Sequence, residues 1–218
     1  MDYAGQILPI LLRGGLVSVE LFAITLVFSL PLGLPIALGE NSKFAPIRWI
    51  CKVYVFIFRG TPLMLQLFFF YFFFPIELNI QLEPFTAAAL TFALNYAAYF
   101  AEIYRGGINS IDSGQYEAAY SLGLSKRQTM FGVVLPQMMK VVLPPVSNEV
   151  ITLIKDTALA SVISLGEMMR VAEGAVNRDG VLIPYVIAAV IYLVFTFFVT
   201  TILTGIEKKL SRYDIKEA

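Results

Sequence analysis

Asp112-Ser113-Gly114-Gln115-Tyr116-Glu117-Ala118-Ala119-Tyr120-Ser121-Leu122-Gly123-Leu124-Ser125-Lys126-Arg127 is a polar island between two apolar stretches, and Leu135-Pro136 follows after a further apolar run. Asp112 with Gln115 three residues on reads as a helix start, and Gly123 reads as the matching stop, so the island predicts a short helix. A helix of about two or three turns is marginal in water and must dock on something. Ala118 and Ala119 would let a partner's backbone come close, and Glu117 offers a charge to a partner Arg or Lys. Any multi-span protein needs polar loops, so the island decides little until its flanks are read.

Those flanks are membrane-like. The chain has 218 residues, of which 58% are hydrophobic and only 15% charged, and a mean hydropathy of +0.74 sets it apart from soluble globular proteins. A membrane helix needs roughly 20 apolar residues, and five segments are expected to span: about 14–39, 47–75, 84–104, 137–157 and 183–206. Residues 1–12 are expected to form a short interfacial helix, and residues 159–176 a surface or re-entrant helix on the outer side. In that second stretch Glu167, Arg170 and Glu173 interrupt any long apolar run.

Basic residues orient the spans. Lys43, Arg48 and Lys52 follow the first, Arg105, Lys126 and Arg127 the third, and Lys208, Lys209, Arg212 and Lys216 the fifth; the opposite side holds Arg13, Arg170 and Arg178. The positive-inside rule then puts the amino terminus outside and the carboxyl terminus, with the polar island, in the cytoplasm. Net charge is zero and the cations sit at span ends, which argues against nucleic acid as a partner. With no His and one Cys, Cys51, histidine chemistry, metal clusters and an internal disulfide are excluded, and Cys51 reads as a buried apolar residue.

Charged and amide groups inside spans cost roughly 2.5–3.5 kcal/mol per charge on insertion scales and so face protein or water. In the fourth span Asn148, Thr152 and Lys155 fall on one helical face, with Asp156 beside it and Thr157 and Ser161 continuing outward. In the third span Asn95, Tyr99 and Glu102 share a face by the same spacing. Arg59-Gly60-Thr61-Pro62 breaks the second span, because Pro62 removes a donor and disfavours helix at Thr61. Broken helices commonly mark transporter binding sites. These residues are the candidate substrate path: for an amino acid, Lys155 and Arg59 would meet the carboxylate, and Glu102 and Asp156 the ammonium. Scaffold or gate roles for Glu102 stay open.

The island and its surroundings also carry a resemblance. Glu117-Ala118-Ala119, three residues, Gly123, nine residues, then Val133 and Leu135-Pro136 follow the pattern of the coupling loop of ABC-importer permeases, with Val133 where that pattern has Ile. Further likeness lies in Phe58-Arg59-Gly60-Thr61-Pro62, Ala101-Glu102-Ile103-Tyr104-Arg105-Gly106-Gly107-Ile108, Leu143-Pro144-Pro145-Val146-Ser147-Asn148-Glu149 and Leu153-Ile154-Lys155-Asp156-Thr157. The chain thus resembles the histidine, arginine and glutamine permease family. The resemblance implies an all-α membrane protein of the type I ABC importer permease fold, with the coupling loop at 112–127.

By the same resemblance Glu117, Ala118, Ala119, Gly123, Leu124 and Ser125 would contact an ATPase. It further implies two ABC ATPase subunits that carry the ATP and Mg, and a second permease chain, identical or closely related. An extracytoplasmic binding protein would deliver a polar amino acid, and the location would be a prokaryotic inner membrane. No cofactor is expected on this chain, and no G-x-x-x-x-G-K-[ST] run is present. Acidic residues near the path lean towards basic amino acids over glutamine. The rival expectation is an ion-gradient-driven transporter or channel using Glu102, Lys155 and Asp156; it would show inverted repeats, and none is evident.

Overall fold

The computed structural model describes residues 3–210, and these are helical almost throughout, with no strand among them. The helices are α1 (Tyr3–Glu40), α2 (Ala45–Gly60), α3 (Leu63–Leu78), α4 (Pro84–Asn109), α5 (Ser113–Ser121), α6 (Lys126–Ile163), α7 (Met168–Asp179) and α8 (Ile183–Leu210). Three of them, α1, α6 and α8, are long and apolar enough to cross a membrane, and α2 with α3 makes a fourth if the bent pair is one span. Arg212 and Lys216, counted above among the cytoplasmic cations, lie outside the described residues, as do Met1 and Asp2.

α4 is missing from that set because it is the hub of the bundle and not its lipid-facing wall. Ala87, Ala88, Thr91, Ala97, Ala98 and Ala101 are fully buried along it. Small side chains let neighbouring backbones approach, which is how helices gain packing energy where burial from water gives none. One such close approach is at Gly33 of α1, where an added Cβ would lie 2.9 Å from Phe100 Cβ and 3.1 Å from the Ala101 backbone nitrogen. Phe92, Tyr96 and Phe100 complete the core with Leu21, Leu67 and Leu153.

Two expected elements differ. The amino-terminal helix is not separate, since α1 runs unbroken from Tyr3 through Pro9, Pro31 and Pro35. Its first turns stay on the bundle because Ile7 and Leu11 pack against Met168, Ala172 and Ala175 of α7 and Ala188 of α8. The outer helix does not begin at 159. Residues Thr157–Ile163 form a tighter 3-10 extension of α6, Ser164 turns the chain at φ 64°, and α7 starts only after Glu167. That start has its own cap: the buried Glu167 carboxylate accepts hydrogen bonds from the N–H groups of Met169 (2.8 Å) and Arg170 (2.7 Å). It also accepts from the hydroxyls of Tyr192 (3.1 Å) and Ser18 (3.3 Å), so one carboxylate joins α1, α7 and α8.

α8 buries only Pro184 and Ala188. Ile187, Ile191, Val199 and Leu203 pack partly against the bundle, while Leu193, Phe197 and Ile202 are exposed.

Candidate substrate cleft and coupling helix

The site is built around the break between α2 and α3, which bends the pair by 106°. Pro62 has no N–H, so the carbonyl of Phe58, four residues earlier, loses its helical donor. Two side-chain amides replace it. Gln66 Nε2 donates to the Phe58 oxygen over 2.9 Å, and Asn95 Nδ2 of α4 donates to it over 3.0 Å. Asn95 also donates to Gln66 Oε1 at 2.9 Å, and Gln66 reaches the Thr61 carbonyl and hydroxyl at 3.1 and 2.8 Å. Thr61 in turn donates its hydroxyl to the Ile57 carbonyl at 2.8 Å. The break is therefore fixed by satisfied hydrogen bonds, and Asn95 spends its donors on holding it. Gln66 escaped the sequence reading; its signal is an amide four residues after a span-breaking proline.

Beside this break lies an open cleft of about 460 Å³. Arg59, Gly60, Thr61, Asn95, Tyr99, Thr152 and Asp156, all expected on the path, line it, and Tyr96 and Glu149 join them. Tyr96 is buried and donates its hydroxyl to Asp156 Oδ2 over 2.7 Å, which fixes that carboxylate at the cleft. The Arg59 guanidinium lies 5.5 Å from the centre of the Tyr99 ring and 3.6 Å from Glu102 Oε2. Glu102 is not a cleft residue: Arg105 grips it through Nε at 3.0 Å and again through Nη2.

The polar stripe of α6 is displaced by one residue from the expected one. Glu149, Thr152 and Asp156 form it, at spacings of three and four, whereas Asn148 and Lys155 are exposed elsewhere. Lys155 lines a separate apolar groove with Tyr185, Ala188 and Tyr192. Thr157 is buried and donates to the Ile154 carbonyl at 2.7 Å, and Ser161 is half-buried in the 3-10 extension. The cleft thus offers one guanidinium and two carboxylates, the set that a zwitterion with extra positive charge would need.

On the opposite side of the bundle, the polar island forms α5. The Asp112 carboxylate caps it by accepting from the Gly114 N–H at 2.7 Å. Gly123 stops it at φ +74°, with Leu124 N–H donating to the Ala119 carbonyl at 3.0 Å and Gly123 N–H to Tyr120 at 2.9 Å. That is the paired-bond termination for which glycine is best suited. Ser125 then caps α6 in a reciprocal box with Gln128. Ala119 faces inward and is buried, while Glu117, Ala118, Gly123 and Ser125 are exposed and Leu124 is half-buried. Tyr120 and Leu122 stand almost fully exposed at 84% and 80%, so α5 presents an apolar, unpartnered face.

Comparison with known proteins agrees with this geometry. Residues 29–212 match the family described as the binding-protein-dependent transport system inner membrane component. The L-cystine transport system permease protein TcyB of Bacillus subtilis is 43% identical over 95% of this chain and 89% of its own. The arginine transport system permease protein ArtQ of the same organism is 39% identical over 98% of this chain and 99% of its own. Among solved structures, a crystal structure of an amino acid ABC transporter with histidines superposes with a TM-score of 0.87 at 33% identity, covering 96% of this chain and 99% of that one. The chain belongs to the binding-protein-dependent inner membrane component family and is a permease subunit of an amino-acid ABC importer.

Proposed function

We propose that this chain passes polar amino acids, basic ones foremost, through the cleft between the α2–α3 break and α6. Arg59 meets the substrate carboxylate, and Glu149 and Asp156 meet its ammonium and any cationic side chain. The observation that carries this reading is the cleft's single guanidinium set against two carboxylates. α1, the α2–α3 pair, α4, α6 and α8 are the five spans, with the amino terminus outside and the carboxyl terminus cytoplasmic. α4 serves as the fifth span because its 26 residues, about 39 Å at 1.5 Å per residue, suffice to cross.

The working unit pairs this chain with a second permease chain. Two ATPase subunits, which hold the ATP and Mg, dock on α5, and an extracytoplasmic binding protein delivers substrate on the other side. Five spans alone enclose no path, and the exposed apolar surface of α8 and the unpartnered face of α5 support such an assembly. A second reading, cystine as substrate, is favoured by the 43% identity to a permease named for L-cystine: two carboxylates in the cleft suit two ammonium groups.

Uptake of labelled arginine, histidine, glutamine and cystine by the reconstituted complex distinguishes these. Arginine uptake with glutamine excluded supports the first reading, and cystine uptake that unlabelled arginine fails to compete supports the second. Glu149→Gln with Asp156→Asn is expected to raise KM about tenfold or more, equivalent to about 1.4 kcal/mol. An unchanged KM would remove the cleft as the path.

A further inference from the structure

Glu40, the last residue of α1, is 6% exposed, and among the described residues its Oε2 has no hydrogen-bond partner. A buried carboxylate oxygen left without a donor is rare and requires an explanation. Arg105 Nε lies 4.0 Å from that oxygen, an ion-pair distance too long for a hydrogen bond. The same Nε donates over 3.0 Å to Glu102 Oε2. One N–H serves one acceptor at a time, so Glu40 and Glu102 compete for it.

Glu102 Oε2 is contested in turn. Arg59 Nη1 stands 3.6 Å from it, also beyond hydrogen-bond reach, while the rest of Arg59 lines the cleft. Four charges therefore alternate in sign from the end of α1 to the cleft, as Glu40, Arg105, Glu102 and Arg59, with one made contact in the middle and an open one on each side. A shift of Arg105 by about 1 Å would close the first open contact and free Glu102 Oε2 to close the second.

We propose that Glu40 is a positioning residue of the transport cycle, the alternate acceptor for Arg105 Nε–H. When the Arg105 side chain shifts, it passes from Glu102 to Glu40, and Glu102 draws Arg59 out of the cleft, releasing the substrate carboxylate. This inference rests on reading the cleft as the substrate path.

The test uses the full complex with its ATPase and binding protein, reconstituted in vesicles, with labelled arginine as probe. Glu40→Gln keeps the size of the side chain and removes its charge. Arginine affinity of the nucleotide-free complex is expected to stay within about twofold of wild type while ATP-driven turnover falls about tenfold or more. The melting temperature is expected to hold or rise, because a buried charge that lacks a hydrogen bond is gone. Glu40→Asp, with the charge on a shorter stem, is expected to recover most of that turnover. Wild-type turnover in Glu40→Gln overturns the proposal, as does a turnover loss accompanied by a lower melting temperature that Glu40→Asp leaves unrelieved. Should Glu40→Gln fail to assemble, Glu40→Asp carries the test: turnover within a few-fold of wild type at unchanged affinity supports the swap, and a loss of about tenfold or more despite the retained charge refutes it. Asp156→Asn, measured alongside, tests the cleft separately, since it should lower arginine affinity whatever Glu40 does.

Discussion

Asn95 of α4 donates a 3.0 Å hydrogen bond to the carbonyl of Phe58, the acceptor that Pro62 deprives of its helical donor. A residue that sequence spacing suggests for the substrate path thus holds the cleft's wall in shape. Asn95→Leu is expected to leave Gln66 as the sole support of that carbonyl and to cost about 1–3 kcal/mol. Adding Gln66→Leu should cost less than a second equal increment, because each amide also bonds the other. A double-variant thermal unfolding series in detergent checks this, and strict additivity would show that the two amides act separately.

Gly107 of α4 faces Val142 and Met138 of α6, and a Cβ at Gly107 would overlap Val142 Cγ1 and reach 3.0 Å from Met138. Gly107→Ala is expected to destabilise the chain by about 1–3 kcal/mol through overpacking, and Val142→Ala should restore most of that loss by opening the space. Gly33→Ala should have no such rescue, because it meets the Ala101 backbone as well as Phe100. Melting temperatures of the two singles and of the Gly107→Ala, Val142→Ala pair decide the matter.

Gly123 holds φ +74° at the end of α5 with open space where a side chain would stand. Its requirement is conformational, so Gly123→Val is expected to strain the turn by about 1–2 kcal/mol and loosen α5 without disturbing the bundle. Glu117→Lys reverses an exposed charge on the same helix and leaves the turn alone. Under the proposed assembly both weaken ATPase association or uncouple hydrolysis from uptake. Co-purification of the ATPase with each variant at wild-type yield, together with normal uptake, would show that α5 is not the docking element.

Asp179 closes α7 with its carboxylate gripped by Arg178 at 2.7 and 2.6 Å and by the hydroxyl of Tyr3 at 2.6 Å. The Arg178 hydrogen bonds, followed by that of Tyr3, hold its carboxyl down to about 2. A depressed carboxylate contributes stability that is fully present above its ordinary value and lost as pH falls through the folded one. The tether between the start of α1 and the end of α7 should therefore persist down to pH near 4 and fail between about 4 and 2. Melting temperatures of wild type and Asp179→Asn should differ at neutral pH and converge near pH 2; a constant gap would mean that the carboxylate charge plays no part.

What sequence could reveal depended on how local each cause was. The Asp112 cap, the Gly123 stop and the Pro62 break are set by a few neighbouring residues and were legible. The working face of α6 was not, because Asn148, Thr152 and Lys155 satisfy helical periodicity as well as Glu149, Thr152 and Asp156 do. Only packing against Tyr96 decides which of two adjacent polar stripes looks into the cleft. In the sequence Glu167 is only an interruption of an apolar run. Its partners Ser18 and Tyr192 lie 149 and 25 residues away, inside the first and fifth expected spans. α1 came out longer than expected because the packing of Ile7 and Leu11 on α7 is invisible to local composition.

The reciprocal cap at Ser125 joins α5 to the head of α6, and α6 carries Glu149 and Asp156 near its far end. From Lys126 to Asp156 a helix extends roughly 45 Å at 1.5 Å per residue. α5 and the carboxylates of the cleft are thus attached to the two ends of a single rod. The rod has built-in points of compliance, a wide π turn at Met130–Val134 and the adjacent prolines Pro144 and Pro145. Under the proposed assembly, a displacement delivered to α5 reaches the cleft as a tilt whose size is set by how those two joints yield.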